Sequence, residues 1–529
     1  MTIFSKLKHL LPVAIGLIIL LGLLIRLYHI SDNQFLFYDE GMYLGYNRAF
    51  LNLVANNPAH DLNELGIILS LIFKTALSMP KALWFFLLSL RVFIFGPEAW
   101  YVARWISAAS GLATVIILYF WCKRHFYSKN IAILSALILL VLPSHVFYSR
   151  LGMQEALSSL LFLSAIYLYM SKERIHWQLF ASAFLLSCVY FTNYRMIIAP
   201  VFIGFIECFK AFIEHRKINW LKLVIYGVSF AAIVLFVGLL YGGTNIYVSF
   251  AWMFHQAQDA GGKFNPINFL SYPYYVFAME GFFFGCFFWA SIYLVRLNEY
   301  SKLLPFGIVA LQMVIFSFAA EKGVRYLCVV LPFMAAAAAI AIDDCWQRYV
   351  DLRGWVLSVG SLALIVMVYL SGSIALARTD YENAVDYIKD QDPQAVFITT
   401  QPMIEGLFVT DDKMAVPCPK DLYSLVSLYK QGAKYLVIDP QAYISWTDDG
   451  RRFSPPLIDF LEFVVKNVTP IQSFPHLNNI LLNRFVMDHN EQIIDSIKFL
   501  SVAQSEEYGK IKIYDLQEVI SALRQRELK

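Results

Sequence analysis

Little in this chain is charged, and little of it is cysteine. Charged residues make up 15% of the sequence, and no basic cluster is large enough to grip a nucleic-acid backbone, so nucleic acid is excluded as a partner. Of 7 cysteines, five lie inside apolar runs, Cys345 lies at the end of one, and only Cys418 falls in the C-terminal part, which rules out a disulfide framework there. The sequence also lacks a glycine-rich phosphate loop, a metal-type Cys/His spacing and an internal repeat. The first apolar stretch has no small-residue cleavage site, so it is expected to stay in the protein as a span.

Apolar length is abundant. The hydrophobic fraction is 59% and the mean hydropathy is +0.57, values of a polytopic membrane protein. Runs long enough to cross a bilayer fall near 10–29, 100–122, 130–147, 153–170, 177–192, 195–213, 220–241, 272–295, 303–320, 326–344 and 354–376. With Lys6 and Lys8 cytoplasmic, the inner loops carry Lys123-Arg124-His125 and Lys129, Lys172 and Arg174, Lys210 with Arg216-Lys217 and Lys222, Arg296 with Lys302, and Arg348 with Arg353. Every inner loop is then basic, as the positive-inside rule requires. Eleven or more spans of odd number place the part after about Ala377 outside the cytoplasm.

Region 30–99 is read as a long first outer loop with interfacial helices over 61–78 and 81–95. From residue 378 on, 22 acidic residues outnumber 16 basic ones. There, helix-like segments (Tyr381–Lys389, Asp421–Lys430, Pro456–Lys466, and from Leu516) alternate with extended ones (Ala395–Thr399, Lys434–Ile438, Lys510–Tyr514), which predicts a small α/β domain over 377–529. Residues 1–376 form the membrane module.

Charged side chains at a membrane boundary are costly and are functional candidates by default. On the expected outer face they fall in five places. Asp39-Glu40 follow span one; Arg150 and Glu155 bracket the start of span four; Tyr194-Arg195 occupy the turn between spans five and six; His255 follows span seven; Lys322 and Arg325 precede span ten. Each has a plainer use. Asp39 suits a helix N-cap, the arginines suit lipid-headgroup anchors, and a lone loop histidine such as His255 is usually incidental. Glu155 begins an apolar helix, where a carboxylate needs a partner or water. Taken together, cations at one depth suit a lipid-borne phosphate, and a carboxylate beside it suits proton removal from an attacking hydroxyl. That is the chemistry of sugar transfer from a polyprenyl-phosphate donor. A transporter or flippase, or an envelope assembly subunit, are the readings from other classes.

The Asp39-Glu40 pair, the Ser149-Arg150…Glu155 segment and Arg325-Tyr326-Leu327…Leu331-Pro332 resemble the GT-C superfamily of membrane glycosyltransferases. The similarity covers roughly residues 10–376 and is greatest to the protein O-mannosyltransferase and aminoarabinose-transferase-like branch, glycosyltransferase family 39 and relatives. The resemblance implies inverting transfer from a polyprenyl or dolichyl monophosphate sugar to a glycan, lipid or protein acceptor, in contact with membrane lipids. It implies that Asp39 is the catalytic acidic residue of the first outer loop, as general base on the acceptor or to orient it, Glu40 the second acidic residue of the pair and Glu155 the acidic residue of a second site. It places Arg150, Tyr194, Arg195, Lys322 and Arg325 at the donor phosphate. The loop from Gly242 to Leu270, with Trp252 and His255, is an acceptor or lid region. Some members use a divalent metal; no ligand set stands out here, so metal dependence is left open.

Overall fold

Proline and glycine decide where the apolar helices start and break in the computed structural model. It describes residues 2–32, 39–45, 62–77, 79, 81–96, 99–171, 176–215, 217–240, 244–261, 268–295, 300–319, 323–409, 414–419, 422–440, 455–475 and 509–527. The helices of the apolar part are α1 (Thr2–Leu27), α2 (Leu62–Leu77), α3 (Ala82–Phe95), α4 (Val102–Phe126), α5 (Lys129–Val141), α6 (Pro143–Arg150), α7 (Glu155–Tyr169), α8 (His176–Thr192), α9 (Ala199–Ile213), α10 (Trp220–Leu239), α11 (Thr244–Gly261), α12 (Asn268–Glu280), α13 (Phe282–Ala290), α14 (Leu304–Ser317), α15 (Leu331–Arg348) and α16 (Arg353–Leu376). Among the described residues, six helices are long and apolar enough to cross a membrane alone, and a bent pair makes a seventh. Shorter apolar helices accompany them. The protein is a multi-pass helical membrane protein.

Two expected spans are not continuous. The run 130–147 divides into α5 and α6, bent by 56°. Pro143 supplies no N–H and forces Leu142 into an extended conformation (φ −68°, ψ 119°). The run 272–295 divides at Gly281, whose φ of +95° suits glycine; an added Cβ would also meet Val366 at 3.0 Å. The centre of the bundle is α15, almost wholly buried. Its Ala335–Ala339 run combines high helix propensity with side chains small enough for close approach by neighbours. Trp121 and Phe162 present their rings edge-on to Phe333 near its start.

Side-chain bonds tie one set of helix ends together. Arg124 Nη2 donates to Ser171 Oγ (2.8 Å), Tyr169 Oη to Glu207 Oε2 (2.9 Å), and Lys222 Nζ lies 3.7 Å from Glu207. Phe212 meets Tyr300, and Lys302 and Arg348 both reach Asp344. These residues come from the loops expected to be basic and inner. Partly exposed ion pairs of this kind add little stability, but they fix which ends meet.

The chain forms two compact units: 1–31 with 50–375 (and 488–490), and 32–49 with 376–487 and 491–529. The second unit therefore takes in part of the first loop, here the helix 39–45, beside the domain after Leu376. That domain holds α17 (Tyr381–Gln391), β1 (Val396–Thr399), α18 (Pro402–Glu405), β2 (Ala415–Pro417), α19 (Leu422–Lys430), β3 (Ala433–Ile438), α20 (Pro455–Asn467), β4 (Gln472–Pro475), β5 (Lys510–Asp515) and α21 (Leu516–Glu527). The sheet order is β2-β1-β3-β5-β4, with β1 parallel to β2 and β3, and β5 antiparallel to β3 and β4. Ile398, Leu436 and Tyr514 pack with Phe460, Leu461 and Val519 in its core.

Candidate functional site

The two cation-bearing turns share one local device. Each is a 3-10 turn, Tyr194–Ile198 or Val324–Val330, followed at once by a helix with proline in its first turn, Pro200 in α9 or Pro332 in α15. Proline closes off helical hydrogen bonding on its N-terminal side, so the preceding residues tighten into a 3-10 turn. Asn193 accepts from Arg195 N (3.3 Å) and fixes the first turn. Gln312 Nε2 donates to Tyr326 O (2.6 Å), and Tyr326 N donates to Gly323 O (3.1 Å), fixing the second.

These turns converge on one ring. The Arg195 guanidinium lies 5.1 Å from the Tyr326 centroid and 5.1 Å from that of Tyr194, while Arg325 lies 5.7 Å from Tyr326. Phe316 stacks on Tyr326 at 4.9 Å. Two cations with no covalent link between their turns are thus held together by an aromatic platform. Carboxylates stand close by. Glu155, 2% exposed, accepts from Gln154 Nε2 (2.9 Å), and Glu155, Glu280 and Arg325 all lie within electrostatic reach of Cys328. Glu280 accepts from Ser144 N (3.1 Å) at the start of α6, where the exposed amides and the helix dipole favour an anion. Ser107 Oγ donates to Met153 O (2.9 Å) and holds the 151–154 turn that delivers Glu155. Gly111 lets α4 come this close: a Cβ there would meet Ser149 Oγ at 2.5 Å.

Arg150 is differently placed. Its Nη1 donates to Ile25 O (2.6 Å) and Arg26 O (3.0 Å), and its Nη2 to Tyr28 O (2.9 Å) and Ala375 O (3.4 Å). It closes the C-terminal ends of α1 and α16, where orphan carbonyls and the helix dipole favour a cation. The expected phosphate-binding role has to compete with four carbonyl partners.

Asp39 and Glu40 begin the 39–45 helix of the second unit, Asp39 half-buried and Glu40 fully buried. Lys322 lies outside the described residues, as does the Trp252 side chain. His255 is exposed on α11, near its Tyr247, Phe250 and Phe254. Ser249 Oγ of α11 bonds Tyr190 Oη (2.9 Å). Among the described residues, no group of three or more His, Cys, Asp or Glu is placed to hold a metal ion.

Sequence reasoning passed over Glu280, and also Arg26 and His145, whose Nη2 and Nδ1 lie 2.7 Å apart in full burial. The available signal was an ionisable residue inside an apolar run, followed in one case by glycine.

No protein-family model matches the sequence, and no curated protein does. Solved structures match its fold. The apo aminoarabinose transferase ArnT from Cupriavidus metallidurans aligns over 84% of this chain and 95% of its own, with TM-score 0.54 and 13% identity. The same protein bound to undecaprenyl phosphate aligns over 82% and 94%, with TM-score 0.53 and 14% identity. The Archaeoglobus fulgidus oligosaccharyltransferase aligns over 87% and 73%, with TM-score 0.53 and 13% identity. The chain has the GT-C fold.

Proposed function

We propose that this protein is a glycosyltransferase that moves a hexosyl or pentosyl group from a polyprenyl-phosphate donor to an acceptor hydroxyl or phosphate, with inversion, on the outer face of a cytoplasmic membrane. The observation that carries the reading is the convergence of Arg195 and Arg325 on Tyr326 in a GT-C fold. A similar fold is seen with undecaprenyl phosphate in ArnT.

In this reading the two guanidiniums hold the lipid phosphate and stabilise the charge that develops on it as it leaves. Lys322 joins them. The acceptor oxygen attacks the anomeric carbon from the face opposite the phosphate. The new C–O bond forms as the bond to the phosphate oxygen breaks, and the phosphate departs with the electron pair. With a hydroxyl acceptor, the Asp39 carboxylate takes its proton. Glu40 holds the 39–45 helix, and Glu155 with Glu280 accepts hydrogen bonds from the sugar. Trp252 and His255 lie in the acceptor or lid segment.

The first test is native mass spectrometry of the purified protein beside Arg195→Ala/Arg325→Ala. A bound polyprenyl-phosphate species lost in the double variant supports the reading, and its sugar mass names the donor. Bulk phospholipid alone, equal in both, overturns the donor site. Asp39→Asn is expected to lower transfer by about 10²–10⁴-fold with donor binding retained; full activity would remove Asp39 from the mechanism.

One observation favours a second reading. Two broken helices meet where Glu280 caps α6, an arrangement that also suits a transporter. Glu280-dependent flux of a lipid phosphate across vesicles, without sugar transfer, would select it.

A further inference from the structure

The domain after Leu376 carries a second buried carboxyl group that the reaction above does not use. In its sheet the strand β1 has β2 on one side and β3 on the other, both parallel to it. The crevice outside the carboxyl ends of β1 and β3 is the switch point, where α/β sheets bind ligands. Here that edge is filled from within. Asp439, directly after β3, is 1% exposed and accepts from Tyr381 Oη (2.6 Å) and Gln401 Nε2 (3.5 Å). Asp439 N donates to Thr400 Oγ1 (2.8 Å), stitching the two strand ends together, and Gln401 N donates to Thr399 Oγ1 (2.9 Å) within the turn after β1.

Glu405, the last residue of α18, is fully buried beside them, and neither of its carboxyl oxygens makes a hydrogen bond of normal geometry. The next turn, Gly406–Phe408, carries Leu407. A Cβ on Gly45 would stand 3.8 Å from Leu407 Cδ2. The turn that follows Glu405 thus lies beside the helix that begins with Asp39-Glu40. Tyr43 and Leu44 of that helix are 2% exposed.

We propose that Glu405 is a positioning residue for the 39–45 helix: its buried carboxyl group, set against Asp439 at the switch point, keeps the Gly406–Phe408 turn where that helix docks. The sheet edge that usually receives a small ligand here receives the chain's own first loop. For its consequence in catalysis this rests on the reading of Asp39 as the acceptor's base.

The proton on Glu405 is the control. Burial pushes the carboxyl group up to about 8, the Asp439 carboxylate adds to the rise, and the Thr399 hydroxyl opposes it. Among the described residues, Tyr381 from α17 reaches Asp439, and Cys418, directly after β2, donates its N to Thr399 O. Below pH about 8 Glu405 is neutral. Above it, two carboxylates face each other in a buried site, and the turn must move to hydrate one of them.

The test is hydrogen exchange of peptides covering 39–45 in the full-length protein, corrected for the intrinsic rate, from pH 7 to 9, alongside a transfer assay. In the wild type, exchange over 39–45 is expected to rise with a midpoint near pH 8; by pH 9 the ionised form leads by about tenfold. Glu405→Gln is expected to abolish the rise while leaving transfer at pH 7 unchanged. Thr399→Val, should the first variant fold poorly, is expected to shift the midpoint upward. An unchanged rise in Glu405→Gln, no rise in the wild type, or an unmoved midpoint in Thr399→Val would each overturn the proposal. Exchange that behaves as expected while transfer ignores pH 8 would uphold the positioning and remove Asp39 from the chemistry.

Discussion

Arg150 and Arg325 belong to the same compact unit, and the sequence marks them alike: an arginine at a helix end within two residues of a tyrosine, in a loop expected to face outward. The structure uses them in opposite ways. Arg150 spreads its donors over carbonyls of Ile25, Arg26, Tyr28 and Ala375 and joins the ends of two helices. Arg325 lies along the Tyr326 ring with Arg195 on the same ring and carboxylates near Cys328. Carbonyls that end helices are a sink for a cation's hydrogen bonds, whereas an aromatic face holds a guanidinium through its quadrupole and leaves the N–H edge geometrically suited to a bidentate anion. On the proposed function, partner type and not position at the membrane boundary separates a binding arginine from a structural one.

That contrast breaks most readily at Arg325. Arg325→Ala is expected to cost about 1.5–3 kcal/mol of donor binding, roughly ten- to a hundredfold in affinity, with little change in thermal unfolding. Donor affinity within twofold of the wild type would take Arg325 out of the phosphate site. Arg150→Ala is expected to show the reverse. It strips four carbonyls, three of them half-buried, of a charged donor and should lower the stability of the membrane unit by about 3 kcal/mol, read as a fall in detergent unfolding temperature, while donor affinity of the folded fraction holds. Weakened donor binding at unchanged stability would place Arg150 with the phosphate after all.

A third prediction concerns stability and pH in the other unit. Glu405 has its proton held more tightly folded than unfolded, from an ordinary 4.5 to about 8. The stability this proton state supports is complete below about pH 4.5 and is lost as pH rises through 8. Glu405→Gln should therefore gain on the wild type in chemical unfolding as pH rises, and level off above that value. A constant difference from pH 5 to 9 would mean that the group does not titrate there.

How far the sequence is legible differs between the two units for a physical reason. The apolar helices were readable because lipid demands long apolar runs, and basic residues of the loops expected to be inner, such as Arg124, Lys302 and Arg348, pair at one set of helix ends. The helices at Tyr381 and Pro455 and the strands at 433–438 and 510–515 fall within a residue or two of where pattern alone puts them. Strands β2 and β4 were missed: three and four residues, each ending in proline, carry too little alternation to register. The breaks at Pro143 and Gly281 were missed because hydropathy averages over them. Glu280 was missed for the same reason, and its value is visible only once α6 turns its first amides toward it. The membership of 39–45 in the second unit is a long-range property that no local pattern encodes.

The smallest expected effect is the sharpest on the comparison, because it separates ring from hydroxyl. Tyr326 contributes its carbonyl to Gln312 and its ring to Arg195, Arg325 and Phe316. Tyr326→Phe keeps both features, so donor affinity should stay within twofold. Tyr326→Leu keeps the carbonyl and loses the ring. Each cation–π contact is worth about 0.5–2 kcal/mol, so two arginines losing their common platform should weaken donor binding by about 1 kcal/mol or more, roughly fivefold. If Phe and Leu weaken binding equally, the hydroxyl is what matters and the platform account of Arg195 and Arg325 fails. If only Leu does, the two turns act as one site because one ring lies between them, and Arg150, which spends its donors on carbonyls, falls outside it.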